Sequence, residues 1–253
     1  VIHSKPLPGS PSFTGESLDE IYTFAVEEGR QYADAGVDGL ILENHGDIPF
    51  ATPDEIGVET AATMAVMADR LRKTVGLPLG INVLANGAIP AVAVAQASGA
   101  GFVRVNQWAN AYVANEGIIQ GPAGRAARYR SWMRANQIKI FADVHVKHGA
   151  HAIVADRSIT ELTRDLEFFD ADVVIVTGQR TGDPPSIDEL REVREATPLP
   201  LMIGSGMTEN DVERLLGIAD GVIIGSALKR DGVWWNAVDP QRASRFVARV
   251  RSL

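Results

Sequence analysis

Short β-branched runs alternate with segments of helical periodicity from one end of the chain to the other. Apolar runs that read as buried strands lie at 1–4 (VIHS), 39–44 (GLILEN), 77–84 (LPLGINVL) and 101–106 (GFVRVN). Four more follow at 138–147 (IKIFADVHVK), 172–178 (DVVIVTG), 199–206 (LPLMIGSG) and 221–227 (GVIIGSA). Between them the apolar positions recur at helical spacing. SLDEIYTFAVEEGRQYADAG begins at Ser17 with Glu20 three residues on, a capping-box spacing, and ends at Gly36. TPDEIGVETAATMAVMADRLRKTVG places Thr52 as cap, Pro53 at the first helical position and basic residues in the last turn. Further helices are predicted in GRAARYRSWMRANQ, SITELTRDLEFF, SIDELREVREAT, TENDVERLLGIA and DPQRASRFVARVRSL.

Eight strands alternating with about eight helices predict an α/β protein, a single (β/α)8 TIM barrel spanning 1–253 as one domain. An open doubly wound sheet is the competing architecture, but the glycine-rich dinucleotide turn it would carry after the first strand is missing. No Pro/Ser-rich linker or low-complexity tract divides the chain. In such barrels the site lies at the C-terminal ends of the strands, so polar residues there carry the most information.

Composition narrows the setting. The formal net charge is -8 and no cysteine is present. An acidic chain has no general affinity for nucleic acid or anionic membrane, and disulfides, thiolate metal sites and cysteine nucleophiles are excluded. No apolar run is long enough to span a bilayer, and VIHSKPLPGSP lacks the apolar core of a signal peptide. The expectation is a cytoplasmic protein without stable membrane insertion; a homo-oligomer is compatible with all of this.

The most distinctive local pattern is IGSG at 203–206 followed by IIGSALK at 223–229. Two apolar strands open into Gly-Ser turns, and the first leads directly into a helical pattern. Gly204, Ser205, Gly206, Gly225 and Ser226 therefore predict a phosphate site on the last two strands. A single such turn would be only a tight loop; two on adjacent terminal strands favour an anion.

Other strand ends are unusually polar. Glu43 and Asn44 end the second strand, Asn82 lies on the third, Arg104 and Asn106 on the fourth, and Thr177 ends the sixth. On the fifth, Asp143, His145 and Lys147 fall at every second position and share a face if the strand is regular. Each has a structural alternative, since asparagines satisfy loop backbone and Glu43 could pair with Arg104 or Lys147. Burying so many ionisable groups together is costly unless they are paired, coordinated or used. Glu43, Asp143, His145 and Lys147 are the candidates for proton transfer, and Lys147 could instead attack a carbonyl as a Schiff-base nucleophile. Asn82 and Asn106, expected to orient hydroxyl or carbonyl oxygens, join Asn44, Arg104, Thr177, His3 on the first strand, Lys5 just past it, and Arg180 and Thr181 in the rigid RTGDPPS loop as candidate substrate contacts. No cofactor is predicted. A divalent metal on Glu43, Asp143 and His145 is the weaker reading, because no HxH or HExxH pattern is present.

The blocks VIHSKPLPGSP, DGLILENHGDIPF, GINVLANG, FVRVNQW, FADVHVKHGAH, VTGQRTGDPPS, IGSGMTENDV and GVIIGSALK resemble the BtpA family, which includes SgcQ-type proteins. The resemblance covers nearly the whole chain and implies a (β/α)8 barrel. It implies two roles. The family takes its name from a protein implicated in photosystem I biogenesis, whereas other members occur in sugar-metabolic settings. The strand-end residues favour an enzyme acting on a phosphorylated sugar or ribosyl-phosphate-like molecule, by isomerisation or epimerisation first and lyase or glycosidic cleavage next. A non-catalytic assembly factor for photosystem I-like complexes is the alternative.

Overall fold

A computed structural model describes residues 1–178 and 184–253. All eight expected strands form, each shorter than its apolar run. The chain opens with β1 (Ile2–His3), α1 (Leu18–Asp34), β2 (Leu40–Glu43), α2 (Val58–Val75), β3 (Leu79–Asn82), α3 (Ala88–Ser98) and β4 (Phe102–Val105). A hairpin follows, β5 (Ala111–Ala114) and β6 (Gly117–Gln120), then α4 (Ala123–Trp132) and β7 (Lys139–His145). The rest comprises α5 (Ile159–Phe168), β8 (Val173–Val176), α6 (Ile187–Ala196), β9 (Leu201–Ile203), α7 (Val212–Leu216), β10 (Gly221–Val222) and α8 (Pro240–Arg251). Apart from the hairpin, the strands are parallel and follow chain order through one sheet, the (β/α)8 pattern. Strands such as LILE and VVIV are buried at every position, as expected of parallel strands covered on both faces.

The chain divides into two compact units, Val1–Arg104 with Arg125–Lys139, and Val105–Gly124 with Ile140–Leu253. In the first, α1 packs on α2 and α2 on α3, over a core that includes Ile2, Leu42, Met64, Leu71 and Ile81. In the second, α5 packs on α6, and Val174, Ile175, Leu190, Val193 and Ile203 are fully buried.

Several local expectations are corrected. Ser17 is the N-cap of α1, but its side chain makes no capping hydrogen bond. Helix α2 starts at Val58 with Gly57 as cap, not at Thr52, whose hydroxyl instead binds Glu55 within a local turn (2.7 Å). Helix α3 was not anticipated: AIPAVAVAQAS is apolar on every side, so it lacks the one-sided stripe by which a surface helix is recognised. The β5–β6 hairpin was likewise unforeseen. By contrast, Ser158, Ser186 and Asp239 do cap α5, α6 and α8 through their side chains.

Candidate functional site

In the first unit, strand register brings the polar residues together. His3 on β1 is the lateral partner of Glu43 on β2, and Glu43 is the partner of Asn82 on β3. Laterally paired residues of parallel strands project to one face, so three strands offer an imidazole, a carboxylate and an amide at one level. His45 follows in a 3-10 turn, His45–Asp47. Glu43 Oε1 lies 2.9 Å from His45 Nδ1 and 3.9 Å from His3 Nε2, while Asn82 Nδ2 donates to Glu43 Oε2 at 2.6 Å. Gly46 makes this possible. A Cβ there would lie 2.6 Å from Pro6 N and Ser4 O, so only glycine lets the chain after β1 settle against the turn after β2.

Burial alone would raise the pKa of Glu43. The His45 hydrogen bond and the charges of His45, His3 and Arg104 outweigh it and hold the carboxyl well below the usual carboxylate range. A carboxylate so held is a poor proton acceptor at neutral pH. Two neighbours are occupied otherwise. Asn44 donates to Asp47 Oδ2 (2.9 Å) and Leu84 O (3.2 Å) and accepts from Leu84 N (2.7 Å), so its amide braces two loops. The Lys5 ammonium stands 5.3 Å from the Phe24 ring centroid.

The second unit builds its own group around β7. A bulge lies between Asp143 and His145, and the strand ends at His145. The strict alternation expected to continue to Lys147 is therefore interrupted, and Lys147 falls beyond the strand. Asp143 is buried, while His145 opens on a cavity of about 410 Å³ lined by His151, Arg157, Leu162 and Glu189 among others. His145 Nδ1 is 3.8 Å from Glu189 Oε1, and its ring centroid is 3.9 Å from that of His151. Burial, and then the like charge of His151, lower the pKa of His145 to about 4, so the imidazole is neutral at pH 7. Glu189 shifts the other way: burial, then Glu192, raise its pKa. Arg157 faces the same cavity but is held by both oxygens of Asp165 at 2.7 and 2.8 Å.

The hairpin positions this group. Val113 and Ala150 exchange backbone hydrogen bonds (3.0 and 2.8 Å), and Tyr112 stacks on His151 with centroids 5.2 Å apart. A Cβ on Gly149 would strike the Tyr112 ring. Thr177 is buried and its hydroxyl donates to the His145 carbonyl at 3.0 Å, which fixes the end of β7.

The Gly-Ser turns leave paired strands, with Ile223 N donating to Ile203 O at 2.7 Å. Gly204 N donates to Val176 O (2.8 Å), so that N–H extends the strand ladder. Gly206 adopts φ +79°. The Ser205 hydroxyl is buried without a hydrogen-bond partner among the described residues. Helix α7 starts only at Val212, so the first turn does not run directly into a helix as expected. Gly225 precedes a 3-10 turn, Ser226–Leu228. Asn106 Oδ1 is also buried without a partner among the described residues. Arg180 and Thr181 lie outside the described residues.

Glu189, His151 and Tyr112 escaped sequence reasoning because they sit on a helix, a loop and a hairpin, not at strand ends. Lys229 closes the IIGSALK segment and is 0% exposed, a burial that a lysine tolerates only with partners.

A family model described as the BtpA family matches residues 1–252. The chain belongs to the BtpA family. An uncharacterized protein of Archaeoglobus fulgidus is 41% identical over 247 residues, covering 98% of this chain and 95% of its own. A Caenorhabditis elegans relative described as uncharacterized and mitochondrial is 38% identical, covering 100% and 92%. The photosystem I biogenesis protein BtpA of Synechocystis is 38% identical over 98% of this chain and 85% of its own. Among solved structures, orotidine 5'-phosphate decarboxylase of Pyrococcus horikoshii superposes with a TM-score of 0.60 at 11% identity, over 94% of this chain and 98% of that one. N-(5'-phosphoribosyl)anthranilate isomerase of Pyrococcus furiosus gives 0.59 at 12% identity, over 90% and 94%. At such identities these two establish the (β/α)8 fold and no more.

Proposed function

We propose that this BtpA-family protein is a cytoplasmic enzyme acting on a phosphorylated sugar or ribosyl-phosphate-like molecule by acid/base chemistry. The observation that carries the reading is the facing pair His145 and Glu189 at the cavity wall, one held neutral and the other pushed toward its proton by burial. Two titratable groups whose environments move them in opposite directions mark an acid/base assignment. Glu189 suits proton abstraction beside a carbonyl, and a neutral His145 suits hydrogen bonding to the oxygen that gains charge. Isomerisation or epimerisation uses these roles most directly, with lyase or glycosidic cleavage next. Asp143 and Lys147 remain further proton-transfer candidates, whereas Glu43, held as a carboxylate by its neighbours, is poorly suited to accept a proton at neutral pH. The unpartnered Ser205 hydroxyl and left-handed Gly206 support a phosphate at the Gly-Ser turns. The two solved neighbours are also named for phosphorylated substrates.

Thermal-shift screening of phosphosugars tests the reading, because a ligand at about 100 times its Kd stabilises the native state by about 2.7 kcal/mol. Ser205→Asp should abolish the shift, and Glu189→Gln should lower turnover by about 10²–10⁴-fold. If no phosphorylated compound raises the Tm, the phosphate reading falls. An assembly role for photosystem I-like complexes is the second reading, favoured by the Synechocystis relative. A mitochondrial relative in an animal, which has no photosystem, counts against that role being general.

A further inference from the structure

The group around Glu43 has the makings of a metal site, and Asp143 and His145, named with Glu43 as possible ligands, belong to the other unit. Two imidazoles direct a nitrogen at the same carboxylate oxygen: His45 Nδ1 at 2.9 Å and His3 Nε2 at 3.9 Å from Glu43 Oε1. The donor atoms of His3, Glu43 and His45 all lie within 4.8 Å of one another. Ligand atoms that share an ion at about 2.1 Å stand roughly 3 to 4 Å apart, so small side-chain rotations bring all three into one coordination sphere. The donors are not a loose surface cluster. The side chains of His3 and Glu43 are each 9% exposed and that of His45 24%, so the cluster is largely shielded and His45 is its most accessible member.

The surroundings match what a metal-bound carboxylate needs. Its second oxygen, Oε2, is already held by Asn82 Nδ2 at 2.6 Å, and Asn82 Oδ1 is buried with no hydrogen-bond partner among the described residues. Such an outer contact orients a ligating carboxylate and leaves its other oxygen for the ion. The donors are also rigidly supplied, because His3 and Glu43 are register partners on adjacent strands, Asn82 pairs with Glu43 in the same way, and Gly46 lets the His45 turn settle against the segment that follows β1.

We propose that His3, Glu43 and His45 bind a divalent transition-metal ion, with Asn82 as the outer partner that orients Glu43. Two imidazoles and one carboxylate suit a borderline ion such as Zn²⁺, Co²⁺ or Fe²⁺ over Mg²⁺ or Ca²⁺, which prefer all-oxygen shells. Three protein ligands leave at least one position open, the arrangement of a catalytic rather than a structural metal. The open position would accept a substrate oxygen. This inference stands apart from the phosphate reading, because its probe is the metal alone.

The test uses the whole chain, stripped with a chelator and titrated with Co²⁺. One Co²⁺ per chain with visible ligand-field absorption is expected, and X-ray absorption of the Zn²⁺-loaded wild type should show two imidazole nitrogens. Glu43→Gln and His45→Gln should each abolish the cobalt spectrum, while Asn82→Ala weakens binding by about 10–100-fold. Circular dichroism confirms that the variants are folded. The proposal is overturned by a stoichiometry well below one or by a cobalt spectrum that survives Glu43→Gln. A wild-type X-ray absorption spectrum without imidazole would also overturn it, and that measurement does not depend on any variant folding. A spectrum lost in His145→Gln but kept in Glu43→Gln would place the ion elsewhere and likewise refute it.

Discussion

Glu189 Oε1 lies 3.8 Å from His145 Nδ1, and burial moves the two groups in opposite directions along the pH scale. His145 on β7 loses its proton more easily than a free imidazole. Glu189, in the first turn of α6, keeps its proton longer than a free carboxylate.

The pH dependence of stability follows with a definite sign for each. His145 titrates at about 4 when folded, against an ordinary value of 6.5. Between those values the unfolded chain binds more protons, so this residue makes stability rise with pH, with no further contribution below about 4 or above about 6.5. Glu189 is raised in the folded state, so its contribution is complete below its ordinary 4.5 and is lost as pH climbs through the folded pKa. The two oppose each other just above pH 4.5. Urea unfolding at several pH values should therefore show a shallower rise in His145→Gln and a steeper one in Glu189→Gln than in wild type; identical slopes would refute the assignments.

Ser186 supports this pair from behind. Its hydroxyl accepts from the backbone N–H of Glu189 at 3.1 Å, capping α6. Ser186→Ala should cost about 1 kcal/mol. In calorimetry that corresponds to a Tm lower by about 2–4 °C for a chain of this size. Ser186→Asp, which can still cap, should restore most of the loss.

Gly46 is the tightest test of the first unit. Its Cβ would meet backbone rather than a movable side chain, with Pro6 N and Ser4 O both 2.6 Å away. Gly46→Ala should destabilise by about 1–3 kcal/mol through forced backbone displacement. Gly101→Ala is the control, because nothing lies within 4 Å of the Cβ it would add. Equal melting curves for the two variants would show that the close approach is unimportant.

Thr177 joins β8 to the end of β7 through its hydroxyl and the His145 carbonyl. Thr177→Val keeps the shape and removes the bond, leaving that carbonyl without this donor. A loss of about 1 kcal/mol is expected in denaturant unfolding. Amide exchange at 145–147 should quicken at the same time; unchanged exchange would mean that the hydroxyl does not hold this strand end.

The sequence by itself determined the number and order of the parallel strands, because a strand buried on both faces reads as a nearly continuous apolar run such as LIL before Glu43 or VVIV. It also marked Glu43, Asn82, Asp143 and His145, since polar residues at the ends of such runs stand out. It could not determine which of them meet. That His3, Glu43 and Asn82 share a level depends on inter-strand register, and register is set by packing across distant segments. The interrupted alternation before Lys147 comes from a bulge, which inserts a residue without changing the pattern of residue types. Glu189 reads as one more acid in the first turn of an amphipathic helix, and only the packing of α6 turns it toward His145. Helix α3 and the β5–β6 hairpin were hidden for related reasons: one is apolar all round, and the other takes its place from Tyr112 on His151 and Val113 beside Ala150. Composition and periodicity report how each segment meets solvent, whereas the site is made by contacts between segments, which only the folded chain contains.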